Sequence, residues 1–461
     1  MRSETPEHAE NRAPSSVRNL SRRRFLRNSA VLGAGLALPT IVPSSVFGAS
    51  APSERIAVGC IGVGRMGTGD LREALGFPQV QVVAVCDVDS HRVEAAKKLV
   101  EARYRERSGA ASYQGCATYG DFRELLARAD IDAVQIVTPD HWHAIPTVEA
   151  ARAGKDIFLQ KPLSLTLEEG RIVSDTVRQC GRVFQIGSQQ RSESRFRRAC
   201  ELVRNGRVGK LHTVKVGFGI DPGCDPQPVM PVPEWLDYDM WLGPAPYTPH
   251  TPDRVSNQWW WFISDYALGF IAGWGVHPLD IALWGGGDKV ACGLEIEGKG
   301  VWPDPEGVCN TAMNWDITCT YDSGVRMNYF GNPYPDAWKT RYGRTSDHGT
   351  AFEGTDGWVH VDRSGINAHP KELLDIQWGP NDIRLYESGN HARNLLDCVK
   401  TRKDTICPID DAVQADILCH ISDITIRLEQ KLRWDPTKEQ FVGNDAANRR
   451  LVRAMRSPWR L

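Results

Sequence analysis

The stretch from residue 55 to residue 87 decides the fold. It begins with Arg55-Ile56-Ala57-Val58-Gly59-Cys60-Ile61, continues through Gly62-Val63-Gly64-Arg65-Met66-Gly67, and ends with Val80-Gln81-Val82-Val83-Ala84-Val85-Cys86-Asp87. The two apolar runs predict buried strands, and residues 68–75 between them predict a helix. The order of strand, glycine-rich turn, helix, strand and acid is typical of a dinucleotide-binding unit.

The three glycines of this turn each have a physical role in such a site. Gly62 allows the tight turn out of the strand, Gly64 lets the backbone approach a pyrophosphate, and Gly67 lets the helix lie close to the sheet. The N-terminus of the following helix presents unpaired N–H groups and a positive dipole end to the phosphates, with Arg65 and Met66 in the turn that leads into it. We therefore expect these residues to bind the cofactor.

Asp87 predicts which dinucleotide is bound. It lies about twenty residues after Gly67, where a carboxylate accepts hydrogen bonds from the adenosine ribose hydroxyls. The same carboxylate would repel a 2′-phosphate, so the sequence favours NAD over NADP. A glycine turn in some other kind of α/β protein is the alternative interpretation.

Length and composition limit the remaining possibilities. A chain of 461 residues is too long for one hydrophobic core and predicts two domains. The formal net charge of −2 gives no general attraction to nucleic acid, so we expect no nucleic-acid partner. We also expect no metal site, because His141 and His143 are two residues apart and would point to different sides of a helix.

Residues 1–50 predict an export leader that is not part of the fold. Ser21-Arg22-Arg23-Arg24-Phe25-Leu26-Arg27 matches the twin-arginine signal, and an apolar stretch of small residues, 30–42, follows it. That stretch is too short for a comfortable membrane span. We therefore expect the twin-arginine export machinery as a partner, and a protein that is periplasmic or anchored to the membrane facing the periplasm. A basic arm before a chance apolar run is the alternative, and cleavage is left open.

The export route bears on how the cofactor is used. It carries folded proteins to a compartment without a known supply of free NAD. A dinucleotide enzyme sent there would load its cofactor first and hold it tightly, which favours a cofactor recycled within each turnover. The twelve cysteines contain no C-x-x-C pair, so most are expected to be buried apolar residues, with pairing after export left open.

Residues 51–187 continue as a doubly wound parallel sheet should. Further strands are predicted at 117–119, 133–137, 156–159 and 182–186, with helices between them. Ligands of such sheets bind beyond the carboxyl ends of the strands. The sequence therefore predicts that the glycine turn, Asp87, Thr138 to His143 and Gln160 to Pro162 converge on one crevice.

The chain resembles the Gfo/Idh/MocA family, named for glucose–fructose oxidoreductase and inositol dehydrogenase. The matching stretches are Gly62 to Gly67, Thr138-Pro139-Asp140-His141-Trp142-His143, and Gly154-Lys155-Asp156-Ile157-Phe158-Leu159-Gln160-Lys161-Pro162. The resemblance implies an N-terminal Rossmann domain and a C-terminal α+β domain with an open, mostly antiparallel sheet that often mediates dimer or tetramer contacts. It also implies that Thr138, Pro139 and His143 lie at the cofactor, whereas we expect His141 to pack or cap.

Lys161 is the principal catalytic candidate. The resemblance places it against the nicotinamide and the substrate hydroxyl. It follows a buried strand and precedes a proline, so its position is rigid, and a cationic nicotinamide would lower its pKa toward that of a general base. The family's usual glutamate is Gln160 here, which we expect to contact the cofactor's ribose or carboxamide. A solvated surface lysine is the alternative.

Residues 188–435 predict the second domain, with strands from residue 211 onward and helices near its end, and residues 436–461 predict a basic tail that folds back on the first domain. We expect the tail arginines, Arg453 and Arg456 among them, to form a solvated face. The tryptophan-rich residues 221–262 either wall a saccharide site or fill space beneath a long loop.

The run Ala272-Gly273-Trp274-Gly275-Val276-His277-Pro278-Leu279-Asp280 resembles the family's aspartate-x-glycine-x-histidine motif. The resemblance implies that His277 binds the substrate hydroxyl or shares proton transfer with Lys161. Asp280 is three residues further along the same helix face and could orient the imidazole. Gly273 stands where the family has an aspartate, so either an acid such as Asp265 substitutes, or the chemistry differs, or activity is lost.

Three functions remain open. The first is an exported oxidoreductase that acts on a hydroxyl of a sugar, polyol or glycoside with tightly held NAD. The second is a redox-neutral glycosidase or epimerase that oxidises a ring hydroxyl and later returns the hydride. The third is a protein that keeps the cofactor without catalysis, which the changes at Gln160 and Gly273 would favour.

Overall fold

The computed structural model describes residues 55–218, 225–256, 259–331, 335–343 and 348–461. Residues 55–461 form one compact unit. The predicted export leader lies outside the described residues. Among the helices that are described, none has the length and apolar character needed to cross a membrane.

A parallel sheet of six strands forms the N-terminal half. Its strands are β1 (Ile56–Ile61), β2 (Val80–Cys86), β3 (Ala117–Tyr119), β4 (Ala133–Ile136), β5 (Asp156–Leu159) and β6 (Phe184–Ile186). Their order is β3-β2-β1-β4-β5-β6, and every pairing is parallel. The chain moves outward on one side of β1 and then returns to its other side, so the predicted Rossmann arrangement is confirmed, with its switch point between β1 and β4.

The helices of this half are α1 (Arg65–Gly76), α2 (Ser90–Ser108), α3 (Phe122–Leu126), α4 (Ala144–Arg152) and α5 (Leu167–Gln179). Short polar side chains set where several begin: Asp89, Asp121 and Thr166 each accept a hydrogen bond from a backbone N–H of the following turn. The helix predicted between the strands at 133–137 and 156–159 begins at Ala144. A 3₁₀ turn at Asp140–Trp142 precedes it and carries the chain away from the end of β4.

A mixed sheet of nine strands forms the C-terminal half. Its strands are β7 (Leu211–Gly217), β8 (Leu294–Val301), β9 (Asn314–Tyr321), β10 (Arg326–Phe330), β11 (Gly349–Gly354), β12 (Trp358–Asp362), β13 (Gly365–His369), β14 (Leu432–Asp435) and β15 (Gln440–Phe441). Only β7 and β10 pair in parallel among the described pairings, so the predicted mostly antiparallel sheet is confirmed. Along β8, Leu294 and Ile296 are buried while Glu295 and Glu297 are exposed, as a sheet with one covered face requires.

Helices cover the buried face of this sheet. The remaining helices are α6 (Ser194–Arg204), α7 (Tyr238–Leu242), α8 (Phe270–Gly273), α9 (Val276–Gly286), α10 (Asp336–Tyr342), α11 (His391–Thr401), α12 (Ile409–Leu428) and α13 (Asp445–Asn448). Of these, α12 is buried along most of its length. Residues from both sheets and from α12 belong to one continuous hydrophobic core, which fixes the two halves against each other.

The C-terminal tail packs on the N-terminal half. The Arg453 guanidinium donates from Nε to the buried Glu169 Oε1 at 2.6 Å and from NH2 to the His141 carbonyl at 3.0 Å. Arg456 pairs with Asp239 at 2.6 Å. The expectation of a solvated face is therefore wrong for these two arginines, because the tail meets acids and carbonyls that lie far away in sequence.

The glycine turn yields a stability prediction. A methyl group on Gly67 would lie 2.0 Å from the Gly62 carbonyl oxygen, so the turn must open to accept it. We expect Gly67→Ala to lower the free energy of unfolding by about 1–3 kcal/mol, as overpacking does. Denaturant unfolding followed by circular dichroism measures the change.

Gly69→Ala is the matched control in the same helix. A methyl group there meets nothing within 4 Å, and alanine gains up to about 1 kcal/mol over glycine in a helix. Equal stability of the two variants would contradict the close approach in the turn.

Candidate active site

A cavity of about 470 Å³ opens at the carboxyl ends of β1, β2, β4 and β5. Many of the predicted cofactor residues line it, namely Gly62, Gly64, Arg65, Met66, Asp87, Thr138, Pro139, Gln160 and Lys161. Its opposite wall comes from the C-terminal half and includes Trp241, Trp260, Trp261, Phe270, Gly273 and Trp274. The loops that were expected to converge therefore meet around one space.

The glycine turn forms the floor of this cavity. Gly62 has φ of +81°, and a side chain there would lie 2.5 Å from the Val137 carbonyl oxygen. Helix α1 begins directly after Gly64, and no side chain caps its first turn. Its free N–H groups and the missing side chains make a cradle that fits a pyrophosphate. Gly67 lies beneath the cradle and is not part of the cavity wall.

Asp87 is held in place by two backbone amides. Its Oδ2 accepts from Val63 N at 2.9 Å, and its Oδ1 accepts from Asp89 N at 3.1 Å. Burial raises the pKa of Asp87, and the nearby Arg92 charge opposes that shift. Arg92 also lines the cavity and pairs with Asp89 at 3.0 Å, a contact that the sequence analysis missed.

Lys161 reaches across the cavity to the other half of the protein. Its Nζ donates to the Gly273 carbonyl oxygen at 2.5 Å and lies 5.3 Å from the centre of the Trp261 ring. Burial lowers the pKa of Lys161, whereas the carboxylate of Asp140 opposes that shift. The amine therefore stands at the junction of the two halves, with its proton easier to lose than that of an exposed lysine.

Gln160 contacts a residue that the sequence analysis did not single out. Its Nε2 donates to Asp70 Oδ2 at 3.0 Å, and its Oε1 accepts from Lys161 N at 3.2 Å. Burial raises the pKa of Asp70 to about 6. A glutamate at position 160 would bring two buried carboxylates together, so the amide is the side chain that Asp70 allows. Asp70 lies three residues after Gly67, on the buried side of α1. That position was the signal in the sequence that could have identified Asp70 as a residue of the site.

His143 joins two loops of the site. Its Nδ1 lies 2.6 Å from the Pro162 carbonyl oxygen, and its Nε2 lies 2.9 Å from the Thr138 carbonyl oxygen. Because both ring nitrogens face the backbone, this arrangement leaves no nitrogen for the expected cofactor contact. Burial lowers the pKa of His143 to about 4. His141 is likewise buried, among Trp241 and Tyr266, which agrees with a packing role.

Asp280 does not orient His277. Its carboxylate accepts two hydrogen bonds from the Arg191 guanidinium, at 2.8 and 2.6 Å, and both side chains are only 4% exposed. The expected contact is wrong because an arginine from the segment before α6 reaches the carboxylate first. Arg191 also pairs with Asp411. Asp280 is thus part of a buried ion pair behind the cavity.

His277 lies directly behind the cavity wall. Its ring meets the edge of Trp274 at 5.4 Å, and its Nδ1 has no hydrogen-bond partner within the described residues. Burial lowers the pKa of His277, and the positive charge of Lys161 lowers it further. The imidazole is therefore neutral, and Trp274 separates it from the cavity.

Asp265 and Asp140 have different surroundings. Asp265 is influenced by Arg254 and Arg453 and does not line the cavity. Asp140 does line it and is 4% exposed. In the sequence Asp140 stands out only as part of the motif from Thr138 to His143, and its place in the loop after β4 was a usable signal.

The tryptophans divide between the two expected roles. Trp241 is buried against Tyr266, with ring centres 4.8 Å apart, so it mainly fills space although it also borders the cavity. Trp260, Trp261 and Trp274 are partly exposed and line the cavity. Within the described residues, no group of histidine, cysteine, aspartate or glutamate side chains is arranged to hold a metal ion.

Two protein-family models match this chain. A model of an oxidoreductase family with an NAD-binding Rossmann fold matches residues 56–188, and the model of its C-terminal alpha/beta domain matches residues 220–461. The chain belongs to the Gfo/Idh/MocA family of oxidoreductases. The glycine cradle and Lys161 thus lie in the domain that gives this family its NAD-binding character.

Relatives within the Gfo/Idh/MocA family carry different names. The chain is similar to the uncharacterized oxidoreductase YrbE of Bacillus subtilis, with 31% identity over 38% of this chain and 46% of that one. It is also similar to the alpha-N-acetylgalactosaminidase of Shewanella oneidensis, with 31% identity over 42% of this chain and 45% of that one. The chain thus matches about half the length of these relatives.

A solved structure with the same fold is the WlbA dehydrogenase from Bordetella pertussis, in complex with NADH and UDP-GlcNAcA. The TM-score is 0.59 at 14% identity, covering 82% of this chain and 98% of that one. At this identity the likeness shows the fold alone, and the Rossmann sheet followed by the larger sheet is what the two proteins share.

The buried ion pair yields a second prediction. We expect Asp280→Asn to lower the free energy of unfolding by about 3 kcal/mol, because Arg191 would lose its bidentate partner while buried. Denaturant unfolding measures the loss. Asp288→Asn, at an exposed position just after α9, is the matched control and should change stability by less than about 0.5 kcal/mol. Similar stabilities for both variants would show that the pair is not formed.

Proposed function

We propose that this protein is an exported, NAD-dependent oxidoreductase that acts on a hydroxyl of a sugar, polyol or glycoside. The observation that carries the proposal is the position of Lys161 Nζ, between the glycine cradle and the aromatic wall. A base held there can meet a hydroxyl that lies against the reactive ring of a cofactor seated on the cradle.

The chain's own residues divide the remaining work. Bound NAD supplies a hydride acceptor. The cradle and the first turn of α1 hold its pyrophosphate, and Asp87 holds the adenosine ribose. Because Asp87 would repel a 2′-phosphate, we propose NAD and not NADP. Lys161 takes the hydroxyl proton, and the partly exposed tryptophans Trp260, Trp261 and Trp274 pack against the apolar faces of the sugar ring.

Export is part of the proposal. The twin-arginine pattern at Arg22 and Arg23 supports it, and Cys309 is disulfide-bonded. Disulfides persist in oxidising compartments and are rare in the cytosol. A protein that crosses the membrane already folded can carry its cofactor with it, so we propose that NAD is loaded before export and retained.

We also propose that copies of the chain associate through the open face of the large sheet. On β8 and β9 alternate residues remain exposed, including Glu295, Glu297 and Thr320. Sedimentation equilibrium of the purified protein measures the assembly, and a monomer at micromolar concentration would contradict this part.

A second candidate is a redox-neutral glycosidase. The similarity to an alpha-N-acetylgalactosaminidase favours it. Such a reaction would begin with the same removal of a proton by Lys161 and would end with no net change in the cofactor, which suits a protein outside the cytoplasm.

One experiment separates the candidates. The purified protein is tested by absorbance for a bound nicotinamide, and a panel of sugars, polyols and glycosides is then added. Lasting reduction of the cofactor supports the oxidoreductase, and product without net reduction supports the glycosidase or an epimerase. Bound cofactor with neither result would leave a binding protein and overturn the proposed activity.

Lys161→Ala tests the proposed base. We expect turnover to fall by at least about 100-fold, as loss of a general base does, while NAD stays bound because the cradle is intact. Steady-state kinetics and the nicotinamide content of the purified variant provide the two readouts.

Lys210→Ala, at an exposed position before β7, is the control and should keep the activity of the unaltered protein. Normal turnover in Lys161→Ala would remove this lysine from the mechanism.

The export signal is tested by replacing Arg22 and Arg23 together with lysine. We expect the doubly substituted chain to remain in the cytoplasm with its leader uncleaved, because the signal requires both arginines. Cell fractionation and immunoblotting follow the protein, with the unaltered chain as control. Equal amounts in the periplasm or outer face of the membrane would show that another route is used.

A further inference from the structure

The cavity lacks a side chain at the position where the family motif has an acid. Gly273 gives only its backbone carbonyl, to Lys161 Nζ. A Cβ atom added at Gly273 would meet nothing within 4 Å, so the backbone leaves open space where a side chain would begin. If a carboxylate assists Lys161 in removing the substrate proton, that carboxylate must come from another acid of the cavity.

Asp140 occupies the right place on the opposite wall. It follows β4 and the Thr138-Pro139 pair, begins the 3₁₀ turn, and lines the same cavity as Lys161 and Gly273. Its backbone is fixed, because its carbonyl accepts from His143 N at 3.0 Å. Within the described residues, no other side chain forms a hydrogen bond or an ion pair with its carboxylate, and Lys161 acts on it through charge.

The other acids of this region are already engaged. Asp70 accepts from Gln160, and Asp280 accepts from Arg191. Asp87, the second carboxylate on the described cavity wall, accepts from Val63 and Asp89 at the glycine turn. Asp140 is therefore the buried carboxylate that is left facing the cavity near Lys161.

We propose that Asp140 is the carboxylate that shares the substrate proton with Lys161, in the role that Gly273 cannot perform. This inference rests on the proposed function and names one more residue of its site. In the oxidation, the substrate O–H bond breaks and its proton goes to the Lys161 and Asp140 pair. The C–H hydrogen leaves with both bonding electrons to the nicotinamide, and a C=O bond remains.

The charges around the pair fit a shared proton. Burial raises the pKa of Asp140 to about 8, the positive Lys161 opposes that shift, and the negative Asp416 adds to it. Burial lowers the pKa of Lys161, Asp140 and Asp70 oppose the shift, and Arg363 adds to it. The two shifts run in opposite directions, so the proton affinities of Asp140 and Lys161 lie closer together than those of an exposed carboxylate and an exposed lysine, and the two groups titrate as a pair.

Asp140→Asn tests the pair in the holoenzyme. We expect kcat to fall by at least about 100-fold with NAD still bound, as loss of a proton-transfer group does. The rise of kcat with pH should move to lower pH, because removing a negative neighbour lowers the pKa of Lys161. Normal kcat with an unchanged pH profile would overturn the proposal. Asp140→Ser takes its place if the asparagine variant does not fold.

Rescue distinguishes a shared proton from a structural effect. In the Asp140→Asn background, Gly273→Asp adds a carboxylate at the residue whose carbonyl contacts Lys161. We expect this second substitution to raise kcat by at least about tenfold, which is part of the roughly 100-fold loss caused by Asp140→Asn. Asp265→Asn is the matched control and should leave kcat unchanged, because Asp265 does not line the cavity. Failure of Gly273→Asp to restore any activity would count against the exchange of roles.

A readout without turnover separates this inference from the proposed function. Acetic anhydride acylates only the neutral amine, so labelling of Lys161 across pH, followed by mass spectrometry, reports its pKa. We expect that pKa to fall in Asp140→Asn and to stay unchanged in Asp265→Asn. An unaltered protein that turns over no substrate would overturn the function, whereas an unchanged Lys161 titration in Asp140→Asn would overturn the pair.

Discussion

The hydrogen bond from Lys161 to the Gly273 carbonyl connects the two halves of the protein at the place where chemistry would occur. Its geometry depends on the turn that follows β5. His143 contacts the Pro162 carbonyl, while Asp416 of α12 accepts from Leu163 N at 3.2 Å and from Ser164 Oγ at 2.6 Å. A buried helix of the C-terminal half therefore holds the lysine of the N-terminal half, so neither half alone can place it.

The two departures from the family pattern share a physical explanation. Gln160 stands beside Asp70, and Gly273 stands across the cavity from Asp140. In each case a carboxylate is present on a neighbouring element. Asp140 and Asp70 both act on Lys161 through their charge, and further acids at positions 160 and 273 would crowd like charges in a buried space. The changes are thus compatible with a working site.

Local patterns in the sequence predicted the fold well, because strands, glycine turns and helix starts are determined by neighbouring residues. The order of apolar runs gave all six parallel strands, and Gly62 gave the tight turn with its positive φ. The contacts of Asp280 could not be found in this way. Spacing on a helix shows which residues share a face, but Arg191 comes from another element.

The same limit explains the other misses at the site. Arg453 was expected in solvent, and Glu169, its buried partner, lies nearly three hundred residues earlier in the chain. The place of Asp70 on the buried side of α1 indicated that it needs a partner, but nothing near it in sequence indicates that this partner is Gln160. The hydrogen-bond partner of a buried polar group is set by the three-dimensional fold. A single sequence shows only that such a group needs a partner.

The enclosure of the cavity bears on the proposed retention of the cofactor. One wall is the Rossmann sheet and the other is the aromatic segment that carries Trp260, Trp261 and Trp274. The C-terminal tail contacts both halves of the protein. Arg456 donates to the Gly243 carbonyl of the second half at 2.9 Å, and Arg453 donates to Glu169 of the first half. Opening the crevice widely would break these buried contacts as well as the bond from Lys161 to Gly273. A dinucleotide seated before the two halves pack would therefore leave slowly, which is what the proposed export with a retained cofactor requires.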